Sequence, residues 1–161
     1  MGNAKHKIAI IGCGRLGQHY ATAYSTYPDT EIVAIAEFNS ERRKAVGERF
    51  GVKNLYSDAE SLLKEIVPDI GVIVTPTKWM KESVIACAEA GVKGVSTDKP
   101  IAATLSDADE MVDACESRGI VFAGGNLPRA HNHVQEAAKW LREGKYGKIQ
   151  GGIISGLGNC I

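Results

Sequence analysis

The chain has no excess of either charge: 19 Lys and Arg stand against 19 Asp and Glu in 161 residues. A nucleic acid or an anionic membrane as main partner requires a basic surplus, and none is present. No apolar run approaches the ~20 residues that span a bilayer. Cysteine is sparse. Cys13, Cys87, Cys115 and Cys160 form no C-x-x-C pair and fall at long, irregular intervals. That excludes the common zinc spacings and gives no disulfide framework, so a reduced, cytoplasmic protein without a metal site is expected. The opening Met1-Gly2 is not a myristoylation signal, because His6 stands where Ser or Thr is needed, and no signal-peptide pattern follows. What is present is ordinary: 44% hydrophobic and 24% charged residues, close to the globular average. A chain of this length suits one domain and can bury roughly 70% of its unfolded surface.

Short β-rich runs alternate with segments of helical period. Lys7–Ile11 is apolar and closed by Gly12, as expected of a buried strand. Leu16, Tyr20, Ala23, Tyr24 and Tyr27 then share one helical face up to Pro28. Ile32–Ala36 is a second strand, closed by Glu37. Ser40–Phe50 reads as a charged helix with Ser40 as its N-cap and Gly51 at its end. After a brief strand or turn at Val52–Tyr56, Ser57-Asp-Ala-Glu60 has the form of a capping box opening a helix to Ile66. Ile70–Val74 is a fourth strand. A helix follows with Met80, Val84, Cys87 and Ala88 on one side. Lys93–Thr97 is a fifth strand. The next helix is capped by Thr104 or Ser106, with Leu105, Ala108, Val112 and Cys115 as its apolar face. Ile120–Ala123 is a sixth strand, and a helix carrying Val134, Ala137, Ala138 and Leu141 runs to Gly144. The β-α alternation predicts an α/β fold: a doubly wound, mainly parallel Rossmann sheet with helices on both faces.

The turn after the first strand carries the chemistry. Gly12-Cys13-Gly14-Arg15-Leu16-Gly17 matches G-x-G-x-x-G between a strand and a helix, and Glu37 lies twenty residues beyond Gly17. That context is what dinucleotide binding requires. Gly12 permits the tight turn, Gly14 lets a diphosphate approach the main chain, and Gly17 allows the helix to pack close to the strand. Free N–H groups at a helix N-terminus favour the anionic phosphates. Glu37 is placed to accept from an adenosine ribose hydroxyl, and its charge opposes a 2′-phosphate. NAD is therefore favoured, while Arg42 and Arg43 leave NADP open, since an Arg over the ribose accommodates a phosphate. Ligands on such sheets bind beyond the carboxyl ends of the strands, where Gly12, Glu37, Thr75, Asp98 and Asn126 all lie.

The fingerprint, Thr75-Pro76 after the fourth strand and Asp98-Lys99-Pro100 after the fifth, together with Ala88-Glu-Ala-Gly91 and Val95-Ser-Thr97, resemble the Gfo/Idh/MocA oxidoreductases. The resemblance runs from about Lys7 to the end. It implies an NAD(P)-binding Rossmann domain over residues 1–146 and, over 147–161, the first strand of a C-terminal substrate domain. It implies that Lys99 is the catalytic lysine between nicotinamide ribose and substrate hydroxyl, with Asp98 where Glu is usual and Pro100 bending the chain. Thr75, Pro76 and Thr77 match the loop beside the nicotinamide ribose. Cys13, Arg15, Leu16, Phe38, Asn39 and Arg42 complete the expected cofactor set. Arg129 matches an arginine at the active-site mouth, and Met80 stands where many members have histidine.

The implied activity is hydride transfer between nicotinamide and a sugar, polyol or similar small alcohol or carbonyl, with this portion alone inactive. A stand-alone NAD(H)-binding or sensing module is the alternative. The expected partners are a small-molecule substrate and further copies of the chain, through the domain that would follow. His131 and His133 are expected to be polar residues at a helix start, since positions i and i+2 do not share a helical face. Trp79 and Trp140 are expected to be packing or interface residues. Cys13 sits where a helix N-terminus can activate a thiol, though a small side chain that fits is the simpler role. A strand beginning at Lys148 would leave its backbone unpaired, or pair with another copy.

Overall fold

The structure is a computed structural model that describes residues 5–125 and 131–153. The chain divides into two compact units, Met1–Gly125 and Asn126–Ile161. In the first, β1 (His6–Ile11), α1 (Arg15–Thr26), β2 (Thr30–Ala36), α2 (Ser40–Phe50), β3 (Leu55–Tyr56), α3 (Ala59–Glu65) and β4 (Ile70–Ile73) come in turn. A 3₁₀ turn at Thr77–Trp79 leads into α4 (Met80–Ala90), then β5 (Gly94–Thr97), α5 (Leu105–Glu116) and β6 (Val121–Gly124). The strands form one sheet in the order β3-β2-β1-β4-β5-β6, and every pairing is parallel. This is the doubly wound Rossmann order, and the switch of direction lies between β1 and β4.

Strand alternation builds two cores. Ile8 and Ile10 of β1 point to one face, where they pack with Ala21, Ile35, Val46 and Val72. Ala9 and Ile11 point to the other, with Leu62, Ile73, Val84, Cys87 and Met111. Both faces are covered, which is why these strands read as continuous apolar runs.

Four local details differ from the sequence pattern. Asn39, not Ser40, caps α2, its side chain accepting from the Arg42 N–H at 2.8 Å. Asp58, not Ser57, caps α3, accepting from the Ser61 N–H at 2.8 Å. Of the two candidates for α5, Thr104 is the cap. In α5 Leu105 is 85% exposed and the buried stripe is Met111 with Cys115, one turn apart. In α1 the buried positions are Gly17 and Ala21, while Ala23 and Tyr27 are exposed. The helix sits so close to the sheet there that only small residues fit beneath it.

In the second unit α6 (Asn132–Arg142) has no buried residue, and Trp140 packs edge-on against Tyr146 at 6.1 Å with Lys145 over both rings. The predicted strand from Lys148 is absent over 148–153, and its remainder lies outside the described residues. No helix among the described residues is long and apolar enough to cross a membrane.

At the N-terminal ends of the central strands one carboxylate joins three of them. Asp69 accepts from the Lys7 N–H at 2.8 Å and pairs with Lys93 at 2.8 Å, while its carbonyl accepts from the Lys93 and Gly94 amides. Lys93 first, then the Lys7 amide, hold its carboxyl below the usual carboxylate range. A depressed folded-state pKa adds stability that is present at neutral pH and lost as pH falls through that lowered value. We expect Asp69→Asn to lower the melting temperature by about 2 °C at neutral pH, a surface-pair effect. That gap should close on acidification below the carboxylate range; a gap unchanged by pH would contradict this role.

Candidate dinucleotide site

β1 ends at Ile11, and the chain turns at Gly12 with φ +92°, a conformation that disfavours any side chain. A Cβ at Gly12 would also lie 2.6 Å from the Val74 carbonyl oxygen. At Gly17 a Cβ would overlap the Gly12 carbonyl, so the first turn of α1 rests directly on the loop. Gly14 differs: its φ is −62° and a Cβ there meets nothing within 4 Å. The fold does not need a glycine at 14. Open space there is the cradle a ligand with bulky oxygens requires, and it faces the N-terminus of α1, which has no side-chain cap.

Glu37 locks this loop. Its side chain is only 2% exposed. Oε2 accepts from the Cys13 N–H at 2.8 Å, and Oε1 accepts from the Asn39 N–H at 3.0 Å and lies 3.6 Å from the Arg42 guanidinium. A carboxylate offers about four acceptor positions, so capacity for a ribose hydroxyl remains. Arg43 is turned away, donating to the Glu37 and Phe38 carbonyls. Burial first, then the Glu37 charge, push the Cys13 thiol up to about 12. Cys13 is therefore an inert small residue, not a nucleophile.

A cleft of about 1240 Å3 runs along these strand ends. Of the expected residues it is lined by Gly12, Gly14, Arg15, Leu16, Gly17, Glu37, Phe38, Arg42, Thr75, Pro76, Thr77, Asp98 and Lys99. Cys13, Asn39 and Pro100 are not on its wall. Cys13 is buried behind the loop, and the Asn39 side chain is spent on its helix. Asn126 and Arg129 lie outside the described residues. The Thr75 hydroxyl is buried with no protein partner, an acceptor and donor left for a ligand. Lys99 is exposed at the wall, and no ion pair or hydrogen bond engages its ammonium among the described residues. Beside it Asp98 is buried near the Tyr20 hydroxyl, whose pKa is raised by burial and then by the Asp98 charge.

Some wall residues carried no local signal, although the family resemblance singles out Met80. Trp79, half exposed with Lys78 Nζ 3.9 Å above its ring, lines the cleft rather than only packing. Met80, Ser83 and Ala86 reach the wall from α4, and Ser57 and Asp58 from the start of α3. Their periodicity marks them as core or cap, and nothing local says that the same turn borders a cavity. His131 and His133 do approach each other, with ring centroids 5.4 Å apart, because His131 precedes α6 and is free of the helical spacing. Among the described residues no cluster of three His, Cys, Asp or Glu side chains could hold a metal.

The profile of an oxidoreductase family with an NAD-binding Rossmann fold, Gfo/Idh/MocA, matches residues 6–125. The chain belongs to that family. It is 34% identical over 151 residues to D-apiose dehydrogenase of Paraburkholderia graminis, covering 94% of this chain and 40% of that protein. It is 28% identical to myo-inositol 2-dehydrogenase of Thermotoga maritima, with 88% and 42% covered. Among solved structures it is similar to an oxidoreductase from Agrobacterium radiobacter in complex with NAD+, L-tartaric acid and magnesium. The TM-score is 0.84 at 30% identity, over 90% of this chain and 42% of that one. The chain thus spans about two fifths of the length of these relatives.

The two glycines give opposite expectations. Gly14→Val should fold as the parent does, within about 1 °C, because its Cβ meets open space. It should nevertheless weaken NADH binding at least about tenfold, measured by calorimetry, by filling the cradle. Gly17→Val should fail to fold. Parent-like NADH affinity in Gly14→Val would contradict the placement of the diphosphate.

Proposed function

We propose that this chain is the nucleotide-binding portion of an NAD-dependent oxidoreductase that acts on a sugar, polyol or similar small alcohol or carbonyl. The observation that carries the proposal is the open cradle at Gly14 facing an uncapped helix N-terminus, with Glu37 fixed at its rim. Loop amides and the α1 terminus would bind the diphosphate, and Glu37 would accept from the adenosine ribose. The unpartnered Thr75 hydroxyl would serve the far ribose. When bound, the nicotinamide supplies the hydride acceptor or donor.

The remaining task is the substrate proton, and Lys99 is placed for it. Its free ammonium can donate a hydrogen bond to the substrate oxygen, and its amine can take the proton from an alcohol that is being oxidised. Asp98, buried near Tyr20, precedes Lys99 in the chain and anchors that turn in the core. The relatives' names, an apiose and an inositol dehydrogenase, favour a polyhydroxylated substrate. We propose a domain boundary near residue 146, with residues 147–161 opening the part that completes the substrate pocket. We also propose a cytoplasmic setting and self-association through that part.

The test is a panel of sugars and polyols offered to the complete protein with NAD+, followed by NADH appearance. Lys99→Met should cut turnover by at least about a hundredfold, the scale of general acid–base catalysis, while NADH affinity falls no more than about fivefold. Turnover that survives in Lys99→Met would remove the lysine from the chemistry.

A further inference from the structure

Two tyrosines lie one turn apart on the face of α1 that packs on the sheet: Tyr20 near Asp98, and Tyr24 near Ser96. Four residues of helix rise about 6 Å, and two residues of strand rise about 6.6 Å. The two pairs are therefore in step along α1 and along β5 with the residue after it. Asp98 is buried and Lys99 is exposed, so these consecutive side chains leave the turn in different directions, one toward α1 and one toward the cleft.

The Tyr20 hydroxyl sits where three elements meet. The point that a Cβ on Gly125 would occupy is 3.4 Å from it, 2.8 Å from the Thr97 carbonyl oxygen and 3.8 Å from the Asp98 Cα. The ends of β5 and β6 thus converge on this phenol from α1. Asp98 is 8% exposed, and no Lys, Arg or His pairs with it among the described residues. A carboxylate so buried needs a donor. Burial and then the Asp98 charge keep the Tyr20 phenol protonated, so its hydroxyl is able to donate. Tyr20 lies off the cleft wall, so any effect it has on the chemistry passes through the turn.

We propose that Tyr20 is a positioning residue for Lys99: its hydroxyl donates to the Asp98 carboxylate and so fixes the turn that aims the Lys99 amine at the substrate oxygen. The proposal rests on the oxidoreductase function and the role of Lys99 proposed above. Proton transfer from an alcohol demands close alignment, and an amine displaced by about 1 Å loses much of its effect.

The test is a double-mutant cycle in the complete protein, with NAD+ and the sugar or polyol of the panel that the parent oxidises. Tyr20→Phe should lower kcat about tenfold and leave both KM values within about twofold, the pattern of an interaction that matters only in the transition state. In a Lys99→Met background the same change should cost less than about twofold, because the group it positions is gone. Tyr24→Phe removes the equivalent hydroxyl one turn away. It should melt within about 2 °C of Tyr20→Phe and keep kcat within about twofold of the parent.

A second readout needs no turnover. With isotope-labelled methyl groups on the lysine amines, the Lys99 magnetic resonance signal, assigned by its loss in Lys99→Arg, should move in Tyr20→Phe and stay in place in Tyr24→Phe. A kcat loss of equal size in both lysine backgrounds, or in both tyrosine variants, would give Tyr20 a purely structural role and overturn the proposal. So would a Lys99 signal at its parent position in Tyr20→Phe. Undiminished turnover in Lys99→Met would overturn the role of the lysine and the proposal with it. Where NADH binds and no panel compound is oxidised, the substrate class fails, and the Lys99 signal alone decides for or against Tyr20. Failure of NADH to bind the parent would instead overturn the dinucleotide function itself.

Discussion

One hydrogen bond joins the two strand ends on which the site depends: the Cys13 amide donates to the Glu37 carboxylate. Without it the turn between β1 and α1 would carry a buried N–H with no partner, a cost of about 1–3 kcal/mol. With it, Glu37 cannot leave the rim of the cleft, and the same carboxylate also holds the Asn39 amide that begins α2. The loop proposed to cradle a diphosphate and the acid proposed to receive a ribose are therefore joined in one unit. This is preorganisation in the sense that matters for binding, because little ordering is left to be done when the ligand arrives.

The same arrangement divides the arginines that follow. Arg43 is consumed by main-chain carbonyls and stabilises the end of β2. Arg42 remains on the cleft and moderates the charge of Glu37. Two adjacent residues of one type, indistinguishable in sequence, thus do different work, because successive positions on α2 point about 100° apart. On the far side of the switch point, α1 approaches β5 and the residue after it, Tyr24 lying near Ser96 and Tyr20 near Asp98. The helix whose uncapped N-terminus is proposed to meet the diphosphate also lies beside the strand that leads to Lys99.

Much of this was legible in advance, for identifiable reasons. Among the described residues five strands and six helices follow from apolar runs and helical period, and the brief β3 reads only as strand or turn; both sheet faces are covered, and Gly51 and Gly91 mark helix ends in the left-handed conformation. The glycine spacing and Glu37 locate the site, since each glycine answers a steric demand of the turn. What was not legible is equally specific. Asn39 and Ser40 are both good caps, and only the backbone entering α2 decides between them. The buried stripe of α1 shifted to Gly17 and Ala21 because the helix lies closer to the sheet than its large residues allow. The Tyr20–Asp98 contact joins residues far apart in sequence, so no local pattern announces it. Trp79 and Met80 follow core periodicity and yet line a cavity.

Hydrogen exchange along the chain, with and without NADH, tests the central claim most directly. Binding should slow the free amides of residues 14–17 at the start of α1, along with those flanking Glu37, while the amides of β6 and α5 exchange as before. Slowing elsewhere with the 12–17 turn unchanged would contradict the assignment of this turn as the diphosphate site.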